Sequence, residues 1–107
     1  MTNGFQPTVL EVEREMAEKE IPTVLVGKKP LMNYVFACLT TFQSGANQLL
    51  LKARGRAISR AVDVVQVLQR RFYKDLKVAD IRLGTEELTG PNNQLVSVST
   101  IEILLKR

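Results

Sequence analysis

The chain has 107 residues, 45% of them apolar and 24% charged, with a formal net charge of +4. That is one domain's length with enough apolar content for one core; the absence of histidine and the single cysteine, Cys38, exclude an internal disulfide and remove the usual general base and the commonest metal ligand. Residues 1–7 have neither the basic nor the apolar region of a signal peptide, and the longest apolar run, 34–39, is too short to cross a bilayer, so a cytoplasmic protein without membrane attachment is expected.

Charge divides the chain. Residues 1–20 hold five acids and two bases, a net −3, while residues 21–107 hold thirteen bases and six acids, a net +7. Residues 1–22 therefore read as an acidic extension, partly mobile, in which 9–20 is able to form a short helix on Val9, Leu10, Val12 and Met16. The domain proper is expected over 23–107. A basic body of this kind suits a nucleic acid or another anionic surface; the plainer alternative is a solvated surface rich in lysine.

Thr23-Val24-Leu25-Val26 ends at Gly27 and reads as a buried strand. Pro30 then opens a helix, where a first turn tolerates proline. Leu31, Val35, Leu39 and Phe42 recur at helical spacing, with Met32, Phe36 and Cys38 widening the stripe, and Ser44-Gly45 closes the helix. Residues 48–53 form a second strand. A second helix is expected over 58–72, with Ile58, Ala61, Val62, Val65, Leu68 and Phe72 on one face. Beyond it the period changes to two, and Gly90-Pro91-Asn92-Asn93 marks a turn inside a long hairpin. The fold class is thus α/β, a two-layer sandwich in the order β-α-β-α-β-β with an open sheet, helices on one side and a long C-terminal β-hairpin. Val64 and Val67, outside the second helix's stripe, and Leu104-Leu105 are surplus apolar positions suited to a twofold interface.

Two strand-to-helix junctions concentrate cations. Lys28 and Lys29 occupy the first; Lys52, Arg54, Arg56 and Arg60 surround Gly55 at the second. Backbone amides at a helix start, backed by guanidinium groups, form a natural phosphate site. Cations beside a helix N-terminus also oppose its dipole, which points to a ligand that uses the charge. The alternatives are a solvated lysine pair in the first loop and, for Arg60, a surface ion pair with Asp63. Asn33 and Tyr34 sit early in the first helix, where they can donate to phosphate or sugar oxygens, or else cap and pack. No aromatic cluster suited to base stacking lies near the basic corners.

Three segments carry a family resemblance: Gly27-Lys28-Lys29-Pro30-Leu31-Met32-Asn33-Tyr34-Val35, then Lys52-Ala53-Arg54-Gly55-Arg56-Ala57-Ile58-Ser59, then Val98-Ser99-Thr100-Ile101-Glu102-Ile103. In this order and spacing, over about residues 21–107, the chain resembles the Alba family of archaeal chromatin proteins. The resemblance implies a homodimer, associated with the chromosome, that coats and compacts double-stranded DNA with little sequence preference and also binds RNA. It implies Lys28, Lys29, Asn33, Tyr34, Lys52, Arg54, Gly55, Arg56 and Arg60 as contacts to nucleic acid, and Lys28 or Lys29 as an acetylation site. It also makes Phe72 the aromatic that packs dimer against dimer along DNA; the alternative for Phe72 is core closure. A protein acting mainly in RNA stabilisation or processing is the second reading of the same fold.

The chain departs from the family in its hairpin arm, which commonly carries basic residues. Here 83–105 holds no lysine or arginine and includes Glu86-Glu87. The acidic extension is also unexplained by the family. An enzyme is not expected: the chain lacks histidine, Cys38 sits in an apolar stripe, and Glu86 and Glu87, neighbours on a strand, point to opposite faces. No cofactor and no metal are expected.

Overall fold

The computed structural model describes Val9 and residues 21–107. The expected helix over 9–20, and all of the acidic extension but Val9 and residues 21–22, lie outside the described residues. Four strands and two helices follow in the expected order: β1 (Thr23–Leu25), α1 (Leu31–Gln43), β2 (Gln48–Arg54), α2 (Ala57–Val67), β3 (Lys77–Thr89) and β4 (Leu95–Lys106). The sheet runs β1-β2-β4-β3, with β1 parallel to β2 and the other pairs antiparallel.

Strand alternation sorts the sheet into two faces. Leu49, Leu51 and Ala53 of β2 pair with Leu105, Ile103 and Ile101 of β4, and all six are buried. Against them α1 lays Tyr34, Val35, Cys38, Leu39 and Phe42, and α2 lays Ala61, Val64 and Val65. The intervening residues Lys52 and Arg54 of β2 and Thr100 and Glu102 of β4 form the opposite face, which no helix covers.

Several expectations are corrected here. β1 is not a buried strand. It is a three-residue edge strand in which Val24 turns toward the helices while Leu25, paired with Lys52 on the uncovered face, stands 70% exposed. In α1, Met32 and Phe36 fall outside the packed stripe and face outward, because 34, 35, 38, 39 and 42 already fill the sheet-facing side. In α2 the packed positions are 61, 64 and 65, continued by Leu68 just beyond it, so Val64 is fully buried and Val62 is exposed, the reverse of the expected assignment.

The second helix also does not run regularly to 72. Residues Leu68–Phe72 form a π-turn, in which the Tyr73 N–H donates to the Leu68 carbonyl five residues back at 2.7 Å. The wider turn rotates Phe72 off the stripe and leaves it 43% exposed, so it does not close the core. Tyr73 packs there instead, edge-on to Phe42 with ring centres 5.6 Å apart.

The hairpin is as long as expected, and Asn93 takes the left-handed conformation (φ 59°) at its turn. Leu105, expected at an intersubunit surface, is fully buried under the helices. On the hairpin, apolar surface is left uncovered on β3 instead. Ile81 and Leu83 pair with Ile103 and Ile101 and share their face, but no helix reaches them, and they stand 52% and 80% exposed.

Candidate nucleic-acid interface

The first basic corner begins where β1 ends. Val26 continues the parallel ladder through its N–H to the Lys52 carbonyl at 2.8 Å. Gly27 follows, with no room for a side chain at ordinary distance: a Cβ there would lie 3.3 Å from the Tyr34 hydroxyl oxygen. That hydroxyl accepts the Lys29 N–H at 2.9 Å. Tyr34 is buried, so its first role is to hold the loop from beneath. The Asn33 N–H caps onto the Pro30 carbonyl at 3.0 Å, leaving the Asn33 side chain on the exposed side of α1.

Arg60 holds the same loop from α2. Its Nε donates to the Gly27 carbonyl at 3.1 Å and its Nη2 to the Lys29 carbonyl. Lys29 is therefore tied at both ends of its own residue, its N–H to α1 and its C=O to α2. With the backbone fixed this way, the Lys28 and Lys29 side chains remain exposed. In place of the alternative pairing of Arg60 with Asp63 stands this clasp, which spans 33 residues of sequence.

The second corner turns at Gly55, whose φ of +58° is the left-handed region that side chains resist. Its N–H donates to the Ser99 carbonyl of β4 at 2.8 Å, which pins the turn to the hairpin base. Arg56 occupies the N-cap of α2 without a side-chain cap bond, and no acidic residue sits in the first turn. The positive end of the helix thus faces outward beside two exposed guanidinium groups, Arg54 and Arg56. Arg54 reaches Glu86 of β3 at 3.3 Å, with both side chains about half exposed. Such a pair is worth about 0–1 kcal/mol and yields readily to a stronger anion.

The corners meet across a groove of about 670 Å³. Lys29, Tyr34, Lys52 and Arg54 line it, together with Glu86 and Glu102. Arg56 and Asn33 stand outside it, Arg60 holds its rim, and Phe72 sits on the π-turn at the far end of α2. The Arg60 clasp and the Arg54–Glu86 pair carry no signal in the sequence, because both join residues more than thirty positions apart. The outward turn of Phe36 was legible in principle: α1 holds more large apolar residues than one stripe can use.

Burial pushes the Cys38 thiol up to about 12, so it stays protonated inside α1. Among the described residues no group of three or more His, Cys, Asp or Glu converges on a point, and no helix is long and apolar enough to cross a membrane.

Comparison with known proteins fits this geometry. Residues 22–85 match the family model described as Alba. The DNA/RNA-binding protein Alba of Methanocella arvoryzae is 50% identical over 84 residues, covering 78% of this chain and 88% of that one. The DNA/RNA-binding protein Alba 1 of Archaeoglobus fulgidus is 51% identical over 85 residues, covering 79% and 94%. Among solved structures, Alba from Thermoplasma volcanium superposes with a TM-score of 0.76 at 48% identity, covering 79% of this chain and 99% of that one. ALBA1 from Trypanosoma brucei, at 23% identity and a TM-score of 0.65 over 79% and 68% of the chains, shares the fold.

Proposed function

This chain belongs to the Alba family, and we propose that it is a nucleic-acid-binding protein that coats and compacts double-stranded DNA through the two basic corners, with RNA as a further ligand. The reading rests above all on the Arg60 clasp, which fixes one cationic loop onto the helix that begins at the other. Two relatives that bear the name DNA/RNA-binding protein support both ligands.

Lys28, Lys29, Arg54 and Arg56 are the phosphate contacts in this scheme. Lys52 contributes field from the uncovered sheet face, and the α2 N-terminus contributes the positive end of its dipole. Tyr34, Gly55 and Arg60 shape the loops that present these charges. Acetylation of Lys28 or Lys29 would delete one exposed charge and weaken binding. The acidic segment 1–22 lies outside the binding unit over 23–107. The working form is a homodimer, associated with the chromosome in the cytoplasm. A second copy would bury Ile81 and Leu83, and Phe72 would be left to pack dimer against dimer.

The test is a salt titration of duplex binding, run beside the same titration on structured RNA. With about six phosphates neutralised per dimer, log affinity falls against log salt with a slope of about −5 on duplex DNA. Replacing Lys28, Lys29, Arg54 and Arg56 together with alanine should abolish binding at physiological salt. Binding that persists in that variant, or in molar sodium chloride, overturns the proposal. A preference for RNA at every salt concentration would make RNA stabilisation or processing the main role.

A further inference from the structure

Along the β1–α1 edge, three large apolar side chains stand in solvent: Leu25, Met32 and Phe36. Phe36 is 55% exposed on a helix whose packed face is already complete without it. Beside it runs a groove of about 590 Å³, lined by Leu25, Lys29, Asn33, Phe36 and Ala37. An aromatic ring, an amide and an ammonium-bearing residue thus share one concavity of nucleotide size.

Leu25, Lys29 and Tyr34 line both this groove and the larger one between the basic corners. The two grooves adjoin at these residues, so a strand leaving the cationic corner passes close to Phe36. Lys29 is the one charged residue lining the smaller groove, and its ammonium complements a phosphate.

We infer that this groove is a subsite for one unpaired nucleotide of a single strand. Its base stacks on Phe36 against Leu25, its edge or sugar meets the Asn33 amide, and its phosphate meets Lys29. The inference deepens the nucleic-acid reading and rests on it. A paired base hides its face inside the stack and cannot enter, so the subsite acts on loops, bulges and ends only. It separates single strands from duplex by shape, where the basic corners treat phosphates alike.

The experiment uses the full chain and three fluorescein-labelled probes: a short single-stranded RNA carrying 5-iodouracil, its DNA counterpart, and blunt duplex DNA. Phe36→Leu keeps an apolar side chain on an exposed helix position, so folding is retained. Its affinity for single strands should fall about fivefold to a hundredfold, the range for losing one stacked base, with duplex affinity held within about twofold. Phe36→Tyr should restore single-strand binding, and photocrosslinking should map to Phe36 in the wild type. A greater loss on RNA than on single-stranded DNA assigns the site to RNA; equal losses assign it to unpaired strands of either kind.

Equal single-strand affinity in wild type and Phe36→Leu overturns the subsite while duplex binding stands. Failure of the wild type to bind any of the three probes overturns the basic-corner reading and this one together. Self-association of the wild type that Phe36→Leu abolishes would make the patch an interface between copies and also overturn the subsite.

Discussion

Replacing Arg60 separates a charge that holds a loop from a charge that holds a phosphate. Arg60 donates from two nitrogens to the carbonyls of Gly27 and Lys29. A hydrogen bond contributes about 0.5–1.5 kcal/mol net, and each of these two lies toward the lower half of that range because the freed carbonyls can be hydrated at the surface. Arg60→Ala should therefore cost about 1–2 kcal/mol of stability, seen as a drop in Tm of about 4–16 °C for a domain of this size. Arg60→Lys keeps the charge but offers one compact ammonium where two forked donors are needed. If Arg60 acts through the loop, Arg60→Lys should lose about fivefold to tenfold in duplex affinity, close to Arg60→Ala, by releasing Lys28 and Lys29 from their fixed presentation. In a Lys28→Ala, Lys29→Ala background the same substitution should add almost nothing, because the residues it positions are gone. The assay is fluorescence anisotropy at several salt concentrations, with thermal unfolding beside it. Wild-type affinity in Arg60→Lys, or an additive loss in the triple variant with the salt slope shallower by about 0.9, would show a direct phosphate contact and refute the clasp.

Glu86 competes with phosphate for Arg54, so Glu86→Gln should raise duplex affinity about twofold to fivefold at low salt, and the gain should shrink as salt rises and screens the pair. Ile81→Asp places a carboxylate on the uncovered apolar face of β3 and should yield a monomer by sedimentation velocity while the helix content by circular dichroism is kept; a dimer that survives it would move the intersubunit surface elsewhere.

The order of elements, the hairpin and its turn, and the positions of both basic corners were legible because each depends on local spacing. The six residues of β2 and β4 that face the helices follow strict alternation. The failures share one cause. The sequence shows that α1 and α2 are amphipathic but not which of several adjacent apolar rows meets the sheet, so Phe36 and Val62 were assigned inward and Val64 outward. The π-turn at Leu68–Phe72 is set by backbone hydrogen bonding and leaves no mark in the apolar period. At the site, the cations were visible as residue types, whereas the bonds that orient them cross from one helix to a loop 33 residues away.

That distinction bears on how the protein would hold DNA without reading it. Lysine and arginine on free loops would lose side-chain and backbone freedom on meeting a phosphate, which offsets much of the Coulomb gain. Here the backbone part of that loss is already met in the folded chain: Tyr34 and Arg60 fix Lys29, and Ser99 fixes Gly55. The side chains extend above a rigid base, Arg54 held by the weak pair with Glu86, so they can follow any phosphate path while no donor is held at a base edge. The hairpin supplies the complement to this arrangement. With no lysine or arginine over 83–105 and Glu86 paired to Arg54, it adds no cationic grip beyond the corners. The phosphate contacts in this scheme are therefore those of the corners, and a duplex would be held at short, repeated points along its rails instead of being wrapped. On this argument, substitutions that loosen the loops should cost affinity without creating sequence preference, because the contacts they weaken never carried any.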